Sequence, residues 1–377
     1  MELHKEKYLH IVSFNIPYPP NYGGIIDVFY KVKAISKLGV KIYLHCFEYG
    51  RKHQPELNKY CEKVYYYKRF TGIRYSLNIQ PYIVYSRSND QLITRLLRDN
   101  HPVLFEGLHT TFVLNDSRLA NRVRIVRMHN IEHDYYNNLA FIEQNVWKKI
   151  YFRIEAYKLK SYEAILNSVD IIAAISPKDF GYLNKTKDKY INIQHIPPFH
   201  PYEKIMSKTG KGNYIIYQGN LSVGENVKAV LFLVDNVFNR LNIPIIIAGR
   251  NPDAKIIRAV SGYKNISLKT NPSEKEMLDL ILNAQINVLP TFQATGIKLK
   301  LLSALFIGRH CVTNSMMVEN TGLENLCTIR NSPKGIIEAI NKLFNIPFDN
   351  KLLNSRKNNL SKNYSNANNA EKLCKLF

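Results

Sequence analysis

Leu289-Pro290-Thr291-Phe292-Gln293-Ala294-Thr295-Gly296-Ile297-Lys298-Leu299-Lys300-Leu301-Leu302-Ser303-Ala304-Leu305 joins a strand to a helix through a turn of small residues. Residues 286–289 are mostly apolar and read as the strand. Pro290 cannot continue a sheet ladder, and Gly296 permits a tight turn before a helix that opens near Ile297. The first amides of such a helix have no partners within it, and its dipole is positive at that end. A phosphate suits the turn. Lys298 and Lys300 are two apart and cannot share one helical face, so one reaches a ligand while the other faces solvent or crosses to a neighbouring element.

Working outward, strands and helices alternate twice along the chain. Residues 9–14 read as a strand, 17–24 as a Pro/Asn/Gly loop, and 27–38 as a helix ending at Gly39. Further strands are expected at 40–47, 63–67, 103–105, 123–128 and 171–175, and residues 135–168, free of Pro and Gly, read as one or two long helices. The Pro-rich run Ile196-Pro197-Pro198-Phe199-His200-Pro201, followed by a polar stretch, marks a domain boundary. A second series then starts, with strands at 214–217, 244–248, 266–268 and 286–289. Ser273 and Glu276 are spaced as a capping box for a helix over 274–283. The expected architecture is α/β, two Rossmann-like doubly wound domains facing a cleft, with ligands at the carboxyl ends of the strands. The expected division is 1–200, 201–350 and a helical tail over 351–377.

The chain has 377 residues, 52 Lys plus Arg against 30 Asp plus Glu, and a net charge of +22. Such an excess points to nucleic acid, an anionic membrane face or a phosphorylated ligand. The basic residues are spread along the chain without a zinc-finger or RNA-recognition signature, so no nucleic-acid partner is expected. A cytoplasmic membrane face fits better. The aromatic and basic run over 60–70 reads either as a membrane contact or as an ordinary strand. The first residues lack the apolar core of a signal peptide, and no window is apolar enough for a membrane span, so a cytoplasmic location is expected. Five widely spaced cysteines read as buried thiols, and no metal site is expected.

The motif order resembles that of the two-Rossmann-domain (GT-B) glycosyltransferases, and among them the retaining family 4 (glycosyl transferases group 1) of bacterial surface-polysaccharide biosynthesis. Pro19-Pro20-Asn21-Tyr22-Gly23-Gly24 is similar to the glycine-rich first loop over the nucleotide diphosphate and sugar. Tyr217-Gln218-Gly219-Asn220-Leu221, Ile247-Ala248-Gly249-Arg250-Asn251-Pro252 and Pro272-Ser273-x-x-Glu276-Met277 resemble segments of the second domain. Gly296-Ile297-Lys298 resembles a Gly-x-Gly-Ile-Lys diphosphate turn in which Ala294 replaces the first glycine. The resemblance implies a nucleotide-sugar donor, a glycan or lipid-linked acceptor, and no cofactor.

Departures are specific. The paired glutamates of the family fall on Thr295 and Ser303, leaving one hydroxyl for the ribose, and the usual basic pair falls on Asn220 and Glu225. Arg250, Lys298 and Lys300 remain to neutralise a leaving diphosphate. Donor-binding residues are thus expected at Gly23, Gly24, Gly219, Arg250, Thr295, Gly296, Ile297, Lys298 and Ser303. His109 and His129, after the fourth and fifth strands, resemble histidines facing the donor sugar and acceptor, and with Lys298 form the expected catalytic set. Asp27, Asn130 and Glu132 are expected on the acceptor side, although Asp27 reads equally as an early helix carboxylate and a helix cap is the lesser reading of residues 129–133. A nucleotide-sugar epimerase and a catalytically silent binding protein are the alternative readings.

Overall fold

The computed structural model describes residues 6–292 and 299–377. They divide into two units, Met1–Pro201 with Tyr364–Phe377, and Tyr202–Asn363.

The first unit is built on seven strands: β1 (Tyr8–Ser13), β2 (Lys41–Glu48), β3 (Lys63–Lys68), β4 (Val103–Glu106), β5 (Arg124–Met128), β6 (Ile171–Ala174) and β7 (Asn192–His195). All pairings are parallel, in the order β3-β2-β1-β4-β5-β6-β7. The order reverses between β1 and β4, the switch point at which such sheets open a crevice. Side chains alternate between two buried faces. Val12, Phe105, Val126 and Ile172 join one core cluster, and Ile11, Leu104, Ile125 and Ile171 the other. Burial on both faces explains why these strands read as nearly continuous apolar runs.

The Gly23–Lys37 helix follows β1 and starts earlier than its periodicity suggests, because Gly23 and Gly24 extend it toward the strand. It stops before Gly39, whose φ of 79° is a left-handed conformation that favours glycine. The Pro-free segment forms two helices, Glu132–Ile142 and Val146–Tyr162, followed by a 3₁₀ turn at Glu163–Ser168. The aromatic run over 60–70 contains the edge strand β3, with Tyr67 buried in the core.

The second unit has six parallel strands, β8 (Ile215–Asn220), β9 (Ile245–Arg250), β10 (Ile266–Thr270), β11 (Ile286–Val288), β12 (His310–Thr313) and β13 (Thr328–Ile329), in the order β10-β9-β8-β11-β12-β13. Its switch point lies between β8 and β11. The Ser273–Glu276 capping box forms as expected, with both reciprocal hydrogen bonds in place. The Leu299–Ile307 helix is buried along most of its length, as its apolar composition requires.

The expected tail over 351–377 is not one body. The Asn350–Asn363 helix belongs to the second unit, where Arg356 donates to the carbonyls of Gly308 and Arg309. The Asn366–Cys374 helix belongs to the first, where Ala370, Leu373 and Cys374 enter the core cluster that contains Ile11. Sequence reading missed this return because apolar residues are sparse in a segment dominated by Asn, Lys and Ser. All five cysteines are free thiols, and Cys327 is the one that is not buried. Among the described residues no helix is long and apolar enough to cross a membrane.

Candidate active site

In the first unit, the carboxyl ends of β1, β4 and β5 bring Phe14, His109 and His129 together. The Phe14 ring lies 5.3 Å from that of His109 and 5.5 Å, edge-on, from that of His129. A Cβ on Gly24 would stand 2.8 Å from Phe14 Cζ, so glycine lets the first helical turn pass close over this ring. Gly23 meets nothing within 4 Å. Tyr22, the residue before the helix, supplies no capping side chain, so no side-chain acceptor from it meets the first amides.

Beneath the histidines lies a buried charge cluster. Asp27 accepts from Arg127 Nη2 at 3.0 Å, from Lys31 Nζ at 2.9 Å and from the Phe199 amide at 2.8 Å. Although burial opposes its charge, Arg127 and Lys31 hold this carboxyl well below the usual range. The acceptor contact expected of Asp27 does not fit these surroundings, in which protein donors occupy both its oxygens. Glu106, also buried, accepts from Lys31 at 2.9 Å and pairs with His129 Nε2 at 2.8 Å. Burial raises its proton affinity, but Lys31 and His129 outweigh it and lower its pKa. Asp27, Glu106 and His129 bring ligand atoms within 4.8 Å of one another, as a cation would require. The Lys31 ammonium supplies that positive charge.

His109 and Glu132 form a different kind of pair. His109 Nδ1 lies 3.8 Å from Glu132 Oε1, and these two buried atoms find no hydrogen-bond partner among the described residues. Burial pushes the Glu132 carboxyl up to about 8, with Asp179 adding and Arg87 opposing. Burial also holds the His109 imidazolium well below its ordinary pKa, and the positive charge of Arg87 adds to the effect. At neutral pH both are uncharged, which suits neutral hydroxyl ligands. Asn130 is half-buried beside them in sequence.

In the second unit, Gly219 and Arg250 end adjacent strands, with Asn220 paired to Arg250 in register. A Cβ on Gly249 would meet the Gly219 carbonyl oxygen at 1.8 Å, so glycine is required where β8 and β9 approach. Arg250 is exposed. Lys300 crosses to a neighbouring element, donating to Asn226 Oδ1 at 2.7 Å with its ammonium 5.3 Å from the Tyr217 ring centroid. Glu225, at one position expected to be basic, accepts from the Thr291 hydroxyl. Ser303 does not present an unengaged hydroxyl, since its Oγ lies 2.5 Å from Tyr202 OH. Thr295, Gly296, Ile297 and Lys298 lie outside the described residues.

Sequence reasoning missed Lys31, Arg127, Arg87 and Tyr202. The Asp27/Lys31 spacing of one helical turn, and an arginine within an apolar strand, were the available signals for the first two. Arg87 and Tyr202 had none, because their roles arise only from tertiary packing.

Two parallel sheets, each with a switch point, define a protein of GT-B architecture. Residues 212–345 match the family described as glycosyl transferases group 1. An uncharacterized 44.6 kDa protein in the cps region of Klebsiella pneumoniae is 28% identical over 336 residues, covering 83% of this chain and 84% of that protein. Among solved structures, sucrose-phosphate synthase from Thermosynechococcus elongatus aligns with a TM-score of 0.67 at 12% identity, covering 98% of each chain. A variant of S. aureus TarM, in complex with fondaparinux, alpha-GlcNAc-glycerol and UDP, aligns with a TM-score of 0.65 at 10% identity, covering 99% of each chain. These two structures share the fold.

Proposed function

We propose that the protein is a retaining glycosyltransferase that moves a hexosyl group, of glucosyl or mannosyl type, from a nucleoside-diphosphate sugar to a glycan or lipid-linked saccharide in polysaccharide biosynthesis. The observation that carries the reading is the buried His109 Nδ1 and Glu132 Oε1, 3.8 Å apart and without hydrogen-bond partners among the described residues, beside His129 held 2.8 Å from Glu106 at the ends of β4 and β5. Partly unsatisfied polar groups beside a crevice suit sugar hydroxyls, whereas the charged groups beneath them are paired with one another. The group 1 match over residues 212–345, the cps-region relative and the UDP in the TarM complex support the same donor and product class.

In the proposed reaction the bond between the anomeric carbon and the β-phosphate oxygen breaks, and a bond from that carbon to the acceptor oxygen forms. The acceptor proton passes to the departing diphosphate. Neutralisation of the negative charge on that leaving group is assigned to Arg250 and Lys298, and a close approach of the donor to the backbone to Gly219. His109 and Glu132 hold sugar hydroxyls, and His129, oriented by Glu106, faces the reacting carbon. No cofactor or metal enters the scheme. The setting is the cytoplasmic side of a membrane.

A silent binding protein is the second reading, favoured by the loss of both family glutamates and by the Tyr202 contact to Ser303. Incubating the chain with a panel of nucleotide sugars and acceptor glycans separates the cases. Free nucleoside diphosphate with extended acceptor supports transfer, an altered free sugar indicates an epimerase, and binding without turnover indicates the silent protein. Lys298→Ala is expected to weaken nucleotide binding well beyond Lys362→Ala, and equal effects would remove the diphosphate assignment.

A further inference from the structure

The Val146–Tyr162 helix is apolar on two sides. Ala156 and Leu159 face the core, as an ordinary surface helix would have it. The outward side carries Val146, Trp147, Ile150, Ile154 and Tyr157, all exposed and recurring at helical spacing on one face, with Trp147 80% and Tyr157 77% accessible. Phe141 and Ile142, at the end of the preceding helix and a few residues before Val146, are exposed as well. A third segment adds to them. Lys158 donates to the Ser76 carbonyl at 2.9 Å and the Tyr82 amide to Glu155 at 2.7 Å, which ties the segment carrying the exposed Leu77 and Ile79 to this helix. Ile79 is 93% accessible. So many large apolar side chains exposed on one helix and the segments tied or adjacent to it is unusual on a protein that meets only water.

Charge distinguishes what covers it. Lys149 and Arg153 flank the stripe along one edge, at the spacing that puts them on the same side of the helix, and Arg74 lies in the adjoining segment. Glu155, the one acid of the Val146–Tyr162 helix, is buried and turned to the Tyr82 amide and Lys158, and Glu143 in the preceding turn accepts from the Asn145 amide. An apolar stripe with a basic edge and aromatic residues at its borders is the chemistry of a helix lying in the plane of an anionic bilayer. The chain's net charge of +22 works in the same direction. A second copy of the chain would instead set one basic edge against another.

We infer that the Val146–Tyr162 helix, with Phe141, Ile142, Leu77 and Ile79, docks the first unit onto an anionic lipid surface, burying Trp147 at the level of the headgroups. Tyr65, Tyr66 and Tyr67 on β3 are not this surface. Their rings are half-buried or buried in the sheet.

Trp147 is the single tryptophan of the chain, so its emission reports on this site alone. The full chain is mixed with vesicles of phosphatidylcholine, or of phosphatidylcholine with phosphatidylglycerol, and followed by flotation and tryptophan emission. The expected result is co-flotation with the anionic vesicles, a blue shift and protection from iodide. Salt should weaken binding, and the Ile150→Glu/Ile154→Glu double variant should lose about tenfold or more in vesicle affinity with an unchanged thermal melt. Absence of vesicle binding overturns the inference, as does binding with unchanged Trp147 emission. A blue shift without lipid that tracks dimerisation in sedimentation also overturns it, in favour of a second copy. The wild-type emission arm decides the matter even if the double variant fails to fold.

Discussion

Lys31 Nζ lies 2.7 Å from Glu106 Oε1, and neither side chain is reached by solvent. The pair joins the Gly23–Lys37 helix to the end of β4, and through Glu106 to His129. A buried charge left without its partner is far more damaging than the pair is stabilising.

Lys31→Met is therefore expected to cost roughly 3–5 kcal/mol in urea unfolding, because Asp27 and Glu106 lose a shared cation. Adding Glu106→Gln to that variant should recover part of the loss, a coupling that a double-mutant cycle measures. Both carboxyls have lowered folded-state pKa values. Their contribution is thus fully present above the unfolded carboxylate range near ~4 and is lost as pH falls through the lower folded values. Unfolding curves from neutral to acidic pH should show wild type losing stability more steeply than Lys31→Met.

Glu132 titrates with the opposite sign. With its folded pKa raised to about 8, the native state holds a proton that the unfolded chain has lost above ~4.3. Wild-type stability should fall as pH rises between those values, whereas Glu132→Gln removes that slope and is more stable at pH ~8–9 by on the order of a few kcal/mol. Denaturant midpoints across that range test this. If the proton on Glu132 serves the sugar, Glu132→Gln also loses the alkaline decline of the pH–rate profile, while Glu132→Ala lowers the rate at every pH.

Gly249 and Gly224 make a matched comparison within the second unit. An alanine methyl at Gly249 would stand 1.8 Å from the Gly219 carbonyl oxygen, while one at Gly224 meets nothing within 4 Å. Gly249→Ala should cost ~3 kcal/mol or more by forcing β8 and β9 apart. Gly224→Ala, at the first residue of a helix, should be neutral or stabilise by ~0.4–1 kcal/mol. Thermal melts of the two variants check the contrast.

Leu373 reaches the first unit's core from the Asn366–Cys374 helix and is fully buried. Leu373→Ala is expected to cost about 2–5 kcal/mol. Hydrogen exchange should show the loss in the Gly23–Lys37 helix, against which this helix packs, with the second unit unaffected.

The alternation of strands and helices was legible because parallel strands buried on both faces must be apolar runs, as in β1 and β5. The Ser273–Glu276 cap was legible because its chemistry is local. What escaped reading depends on tertiary placement. Lys31 and Arg127 look like interruptions of apolar segments until Asp27 and Glu106 are set beside them. β12 is bounded by the polar His310 and Thr313 and β13 has two residues, so neither stands out, and the Asn/Lys/Ser-rich end gives little sign that Leu373 docks against distant residues. At the candidate site, motif order singles out the glycines and histidines, but the raised Glu132 pKa and the lowered His109 pKa arise from burial, which no spacing encodes. The turn that decided the fold in the sequence, around Gly296, lies outside the described residues.

The first unit is discontinuous, with its sheet complete by His195 and its final helix beginning at Asn366. During synthesis the nascent polypeptide must keep Val28, Val32 and Ile35 without their last cover while more than a hundred and fifty intervening residues leave the ribosome. The half made first is thus finished last, and its closing step waits on translation.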